Sequence, residues 1–307
     1  MTLERIMADL SDPDANIRHT DLVQLSGLSR GEVMNVISDW TNIGPERRRE
    51  LLDRMSELAG DDIELDFTAL FRACLRDGEA SVRASAARGL WDSDDRIVIR
   101  PLVELLSKDP SPEVRSAAAT TLGKFAEMSE DGKLIRRDSQ RISNALMAVI
   151  ENPNEDNGTR RRAIEAIAPI NSERVHETIQ RSYDDDDPLM KQSAIYAMGR
   201  SSDSRWLSTV LHETAHRDAA IRYEAAIACG FLGDNETVPR LINMLNDEDT
   251  QVQLAAARSL GNIGGDLAKR ALTQAMKRGD HAMEEAAEQA LASIEFEEDP
   301  LGFRFDD

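Results

Sequence analysis

Residues 190–199 are MKQSAIYAMG, 221–230 are IRYEAAIACG, 252–261 are VQLAAARSLG and 283–292 are MEEAAEQALA. Each segment begins 31 residues after the one before it. Self-similarity at a fixed period of this length marks a stacked helical repeat, and it decides the fold before any single segment is read for itself. TRRRAIEAIA from Thr159 continues the series upstream at the same step. VRSAAATTLG from Val114 and VRASAARGLW from Val82 extend it, 32 residues apart. IRHTDLVQL from Ile17 and RRRELLDRM from Arg47 are degenerate copies, so nine units account for nearly the whole chain.

Within a unit, an apolar residue at position 0 is followed by Ala at +4, Ala or Ile at +5 and a larger apolar residue at +8. That spacing puts them on one face of a helix. The small side chains at +4 (Ala86, Ala118, Ala163, Ala194, Ala225, Ala256, Ala287) are expected to admit a neighbouring helix closely. A turn rich in Asp and Pro precedes each of these helices, as in KDPSPEV and DDDDPLM, supplying N-caps and a first-turn proline. Another amphipathic helix comes before that turn, for example PLVELLSKD from Pro101 or VPRLINMLND from Val238. The unit is a helical hairpin whose apolar faces need neighbouring units to cover them.

The pattern resembles the HEAT-like repeats, specifically the short kind found in phycobilisome-lyase-type proteins. Residues 109–123 (DPSPEVRSAAATTLG) and 247–261 (DEDTQVQLAAARSLG) carry the resemblance. It implies an all-α fold, a right-handed α-α superhelix (HEAT-like solenoid) of about nine helical hairpins. Residues 1–60 are degenerate N-terminal capping repeats and 61–295 regular repeats, with an insertion near 126–142. Residues 296–307 form an acidic, aromatic C-terminal tail. The spacing from Val114 to Thr159 is 45, so the insertion holds about 14 extra residues; it is read as a tolerated surface insertion, with a partner-touching loop as the alternative. The tail places Phe296, Leu301, Phe303 and Phe305 among acids, either as a cap on the last repeat or as a docking segment.

Composition narrows the function classes. Asp and Glu total 57 against 37 Lys and Arg, a formal charge of −20. That excess repels nucleic acid and anionic membranes, which counts against phosphate-driven binding and against a DNA-lesion reader of this architecture. Aromatic residues make up 4%, which suits close-packed helices. No apolar run approaches the roughly 20 residues of a membrane span. The start, MTLERIMADLSDPD, lacks a basic stretch followed by an apolar core, so no secretory leader is expected. Cys74 and Cys229 fall at apolar helix positions several repeats apart, so no disulfide between them is expected and a cytoplasmic protein is.

One motif argues for an enzyme. LHETAHRD, residues 211–218, contains H-E-x-x-H, which on a helix sets two His on one face with a Glu to activate metal-bound water. Asn235-Glu236 begins close to twenty residues later, which resembles the thermolysin-like metallopeptidases. Carried over, His212, His216 and Glu236 are the zinc ligands and Glu213 the base. The repeat opposes this. One period places Glu236 level with Arg205, seven residues before His212 and eleven before His216. At 1.5 Å per residue and about 9 Å between helices, Glu236 stands roughly 13–18 Å from the pair, against ligand distances of about 2 Å. The two histidines are therefore read as solvated outer-face residues. A loose two-His metal site assisted by Asp185 or Asp247 is the weaker alternative. The iron-dependent deoxyhypusine hydroxylases, also built from HEAT-like repeats, use His-Glu pairs at matching positions. Here His176-Glu177 and His212-Glu213 fall out of register with each other, and no cofactor is implied.

Position +1 is basic in seven units: Arg18, Arg48, Arg83, Arg115, Arg160, Lys191 and Arg222. Beside turn acids such as Asp77, Asp109 and Asp185 it is read as a ladder tying successive turns together, because the planar Arg fork pairs with carboxylates and carbonyls at once. A basic stripe for an acidic ligand is the alternative. The triplets at 47–49 and 160–162 are expected to be neutralised, the latter by Glu151, Glu155 and Asp156, and the run at 184–187 is a capping turn. Positions +2 and +6 should face away from the core. From Thr159 onward they are Arg161/Glu165, Gln192/Tyr196, Tyr223/Ile227, Leu254/Arg258 and Glu285/Gln289. Arg161, Tyr196, Tyr223, Ile227, Leu254 and Arg258 are the candidate partner-binding residues, since aromatic and aliphatic groups flanked by Arg make hot spots. The alternative is extra packing between adjacent helices. The sequence thus points to a non-catalytic scaffold that binds another protein on the solenoid's inner surface, with no nucleic acid and no membrane. A subunit of a phycobilin-lyase-type complex is the alternative implied by the resemblance, and a zinc peptidase the remote one.

Overall fold

The computed structural model describes residues 3–12 and 15–298, and every regular element among them is helical. The helices pair into nine hairpins. α1 (Leu3–Ser11) and the short α2 (His19–Val23) form the first, α3 (Arg30–Trp40) and α4 (Pro45–Asp61) the second, α5 (Thr68–Cys74) and α6 (Ala80–Gly89) the third. α7 (Ile99–Lys108) and α8 (Pro112–Glu130) follow, then α9 (Arg136–Ile150) and α10 (Asn157–Ile167), and α11 (Glu173–Tyr183) and α12 (Pro188–Arg200). α13 (Leu207–Glu213) with α14 (Ala219–Leu232), α15 (Val238–Met244) with α16 (Thr250–Ile263), and α17 (Gly265–Arg278) with α18 (His281–Glu298) complete the series. The chain divides into two units, Met1–Ile167 and Ala168–Asp307. No helix among the described residues is long and apolar enough to cross a membrane.

The all-α solenoid class expected from the period is what the chain adopts, and every second helix except α2 spans its predicted position 0. In the first hairpin α2 is only five residues long. The extra residues near 126–142 mostly lengthen α8 and α9, which run to 19 and 15 residues and leave a turn of five between them. The tail residues Leu301, Phe303 and Phe305 lie outside the described residues; Phe296 is an exposed residue of α18.

Within each unit the second helices pack side by side: α4, α6, α8 and α10 in one, α12, α14, α16 and α18 in the other. Apart from Arg47, position 0 and the +4 alanines are buried in this layer. The closest approach, however, is not at +4. It lies where a +9 glycine meets a +7 small residue of the next hairpin: Gly199 against Ala228, Gly230 against Ser259, Gly261 against Ala290 and Gly123 against Ala166. A Cβ on Gly199 would stand 2.5 Å from the Ala228 Cα, inside any allowed contact. The +7 hydroxyls reinforce this seam. Thr121 Oγ1 donates to the Ala87 carbonyl and Ser259 Oγ to the Ala226 carbonyl, each at 2.8 Å and buried. Those bonds satisfy hydroxyls that close packing has removed from water.

The turns are built by carboxylates. Asp187, Asp218 and Asp249 accept from backbone N–H groups at the starts of α12, α14 and α16. Asp95, Asp203 and Asp234 do the same for single 3-10 turns that open α7, α13 and α15. Each satisfies a donor that a helix start leaves orphaned.

Candidate functional site

The +1 column forms the ladder expected of it. Arg83 grips Asp109 with two bonds of 2.7 and 2.9 Å, and Arg222 grips Asp247 at 2.8 and 2.7 Å. Each also donates to carbonyls of its own turn, Arg83 to Asp77 and Arg222 to His216, both at 2.9 Å. Arg48 reaches Asp77 at 2.5 Å, and Arg115 reaches Glu155 at 2.6 Å. The Arg222 hydrogen bonds hold the Asp247 carboxyl below its ordinary range, against burial, which works the other way. At Asp109 burial pushes upward, but the Arg83 and Ser111 bonds outweigh it and the carboxyl is again held low. These cations are committed to the fold. Within the triplets, Arg47 donates to the Ala15 carbonyl at 2.6 Å, Arg160 to the Ile150 carbonyl at 3.2 Å, and Arg162 pairs with Glu165 at 2.7 Å.

The H-E-x-x-H stretch belongs to the same ladder. α13 ends at Glu213, so His212 and His216 do not occupy successive turns of one helix. Asp77, Asp109, Asp185 and Asp247 each accept the N–H two residues on, at 2.9–3.0 Å. In this unit His216 holds the equivalent position, and its Nδ1 accepts the Asp218 N–H at 3.0 Å. The imidazole has taken over the job of an aspartate. Lys191, the +1 cation of the preceding hairpin, pairs instead with Glu213 at 3.1 Å. Tyr183 O–H donates to the same carboxylate. Glu213 is 1% exposed, whereas the His212 side chain is 81% exposed. Burial works to raise the Glu213 carboxyl, yet Tyr183 and Lys191 hold it below its ordinary range, the wrong direction for a general base near neutral pH.

Glu236 is the exposed middle residue of the 3-10 turn Asn235–Thr237, matching Arg205 in the turn Ser204–Trp206. The other His-Glu pair is inverted: His176 is buried and Glu177 exposed. His176 lies edge-on to Trp206, with Nε2 3.6 Å from Asp203. Among the described residues no three His, Cys, Asp or Glu side chains converge as metal ligands.

Of the candidate surface residues, Tyr196, Tyr223, Ile227, Leu254 and Arg258 share the second-helix layer of the second unit, and Arg161 stands on α10 of the first. Tyr196, Tyr223, Ile227 and Leu254 are half-buried and Arg258 is exposed. Neighbouring helices cover part of each apolar side chain and solvent reaches the rest. The structure adds two members. Phe231, at +10, meets Tyr196 edge-on at 5.6 Å between ring centres, and the Arg200 guanidinium lies 5.3 Å over the Phe231 ring. At 100° per residue, +2, +6 and +10 fall at 200°, 240° and 280°, one continuous stripe. Extending the stripe by one more turn finds Arg200 and Phe231 in the sequence. A further groove, between α3 and α7 over α5, was not foreseen, because its residues come from first helices, which the +2/+6 rule does not address.

Residues 68–137 and 205–292, about half of the chain, match the family described as HEAT repeats. No curated protein matches the sequence. Among solved structures, the complex of CpcE and CpcF of phycocyanin lyase from Nostoc sp. PCC7120 is similar over 96% of this chain and 95% of that one, at 16% identity and a TM-score of 0.56. Human deoxyhypusine hydroxylase in complex with glycerol is similar over 95% and 96%, at 18% identity and a TM-score of 0.37.

Proposed function

The chain belongs to the HEAT-repeat family, and from that premise we propose that it is a non-catalytic, cytoplasmic scaffold that binds another protein along the second-helix face of α12, α14 and α16. One observation carries the proposal. The stripe of Tyr196, Phe231, Tyr223, Ile227 and Leu254, with Arg200 and Arg258, stays partly open to solvent across three successive second helices, whereas the ladder arginines Arg83 and Arg222 are tied into turns. Half-buried aromatics held by packing lose little side-chain entropy on binding, and an Arg over a ring offers both a flat face and a charge.

The test is affinity purification from the native host with wild type and with Tyr223→Ala/Leu254→Ala, followed by titration of the recovered partner. Hot-spot residues cost about 1–2 kcal/mol or more each on truncation, so the double variant should weaken binding at least tenfold without altering the helical spectrum. An unchanged affinity removes this surface from consideration. The likeness to the CpcE–CpcF complex bears on fold alone. It motivates one added assay, chromophore attachment to apo-phycocyanin, and attachment that depends on this chain would replace the scaffold reading.

A further inference from the structure

We propose that the groove bounded by α3, α5 and α7 in the first unit is a second docking site, for an acidic protein segment that carries apolar anchors. It does not rest on the second-helix surface.

The groove follows from helix lengths. α5 has seven residues, against eleven in α3 and ten in α7, so the flanking helices stand as walls over a short floor. The space is about 1140 Å³, above the roughly 300–1,000 Å³ usual for small-molecule sites. α3 supplies Arg30 and Met34, the floor Arg72 and Arg76, and the α7 side Ile97 and Arg100. Met34 is 66% and Ile97 52% exposed. Single exposed apolar side chains are ordinary on a surface, but here two line one groove.

The four arginines set this place apart. In the ladder, Arg48, Arg83, Arg115 and Arg222 all find carboxylates. Arg30, Arg72, Arg76 and Arg100 make no side-chain hydrogen bond or ion pair among the described residues. Arg48 also borders the groove, but Asp77 takes it, together with the Trp40 indole N–H at 3.2 Å. The acid on the α7 wall, Glu104, has Lys108 beside it at 3.8 Å. A chain of charge −20 has thus gathered four uncompensated guanidiniums beside bare apolar groups. Their mutual repulsion is relieved by carboxylates, which the planar fork binds in pairs. The apolar side chains call for Leu, Met or aromatic anchors between those carboxylates.

A nucleic acid strand fits less well. The exposed groups between the arginines are aliphatic, and the indole of Trp40 is buried, so no aromatic platform is offered for base stacking. A strand longer than the groove would also meet the acidic excess of the surrounding surface.

The test uses the full chain and an array of peptides, about twelve residues long, that permute Glu and Asp with Leu, Met and Phe. A charge-matched array replaces the apolar residues with Ser, and a single-stranded RNA of equal charge is titrated alongside. Wild type should retain acidic-apolar peptides at least tenfold over the Ser array, with affinity falling as salt rises. Arg72→Glu/Arg100→Glu should abolish that preference while leaving the melting temperature unchanged, since neither side chain has a partner to lose. Met34→Ser should reduce it severalfold. Equal retention of the Ser array, equal binding of the RNA, no retention, or a preference untouched by the charge reversals would each overturn the proposal. So would self-association that disappears in the double variant, which would make a second copy the occupant.

Discussion

Replacing Gly199 by alanine tests the seam between second helices. The new Cβ would lie 2.5 Å from the Ala228 Cα and 3.1 Å from its carbonyl oxygen. Ordinary contact begins near 3.4 Å, so α12 and α14 must part by about 0.9 Å at this point. Overpacking of this kind costs about 1–3 kcal/mol, while Gly to Ala within a helix returns about 1 kcal/mol of propensity. The expected net loss is about 0–2 kcal/mol, toward the upper end because the contact is with backbone. Gly123→Ala is the graded control: its Cβ would stand 3.2 Å from the Ala166 Cα, which neighbouring atoms can absorb, so strain and propensity nearly cancel. Gly60→Ala, in α4 with nothing within 4 Å, should stabilise by up to about 1 kcal/mol.

Urea midpoints followed by far-UV circular dichroism give the three values, with slopes compared to confirm that the same cooperative unit melts. The order must be Gly60→Ala above wild type, Gly123→Ala close to it, Gly199→Ala below. Adding Ala228→Gly should not rescue Gly199→Ala, because the clash is with backbone. If the three substitutions behave alike, or if that second change restores stability, the seam is not what sets the helix spacing. Parting α12 from α14 should also loosen the Tyr196–Phe231 contact that spans them, so partner binding at that stripe should weaken along with stability.

The remaining predictions concern the ladder and the buried groups. Arg222→Ala strips Asp247 of a two-bond partner; breaking a buried pair costs about 3–5 kcal/mol, and solvent screening at the turn brings the expected loss to about 2–3 kcal/mol in the same urea assay. Because Asp109 and Asp247 are held below their ordinary range when folded, the stability they contribute is complete above the unfolded value near 3.9 and is lost as pH falls through the folded one; Asp247→Asn should flatten the loss of stability below about pH 4. Burial pushes the Cys229 thiol up to about 12 and the Cys74 thiol up as well, so both should resist a thiol reagent at pH 8 until the chain unfolds. Glu213→Ala should cost about 2–4 kcal/mol, leaving Lys191 and Tyr183 without their acceptor, whereas His216→Asp should be neutral or stabilising; a Glu213→Ala chain as stable as wild type would contradict the structural role.

The fold was legible because periodicity is a property of many residues at once. No single segment needed to be read correctly for nine hairpins to emerge at the right places. The +1 ladder was legible for a related reason, since a column of Arg opposite a column of Asp survives local noise. What failed were contacts set by exact interhelix distance. The +4 alanines suggested close approach, but the glycines at +9 decide it, and only their geometry against the next helix separates the two. Two of the acids beside the second arginine triplet have partners elsewhere: Glu155 takes Arg115, and Asp156 accepts the Thr159 N–H. Sequence proximity proposes partners, while the stack assigns them to neighbours about one repeat away.

The histidine motif shows how a repeat can produce a false signature. A ladder position that is usually aspartate became histidine at 216, and Nδ1 kept the turn's hydrogen bond because it accepts from the same N–H. The lost carboxylate left the cation of the preceding hairpin without its partner, and there the chain has Lys191 in place of Arg. A lysine ammonium on a flexible stem can reach a carboxylate that a fixed guanidinium fork would miss, and Glu213, three residues before His216, supplies it at 3.1 Å. Glutamate and histidine at that spacing are thus two halves of one repair to the turn. Only His212, exposed and beside the turn, is incidental to it. The same residues that spell a metalloprotease helix are explained by hydrogen bonds and ion pairs that any unit of the array must satisfy.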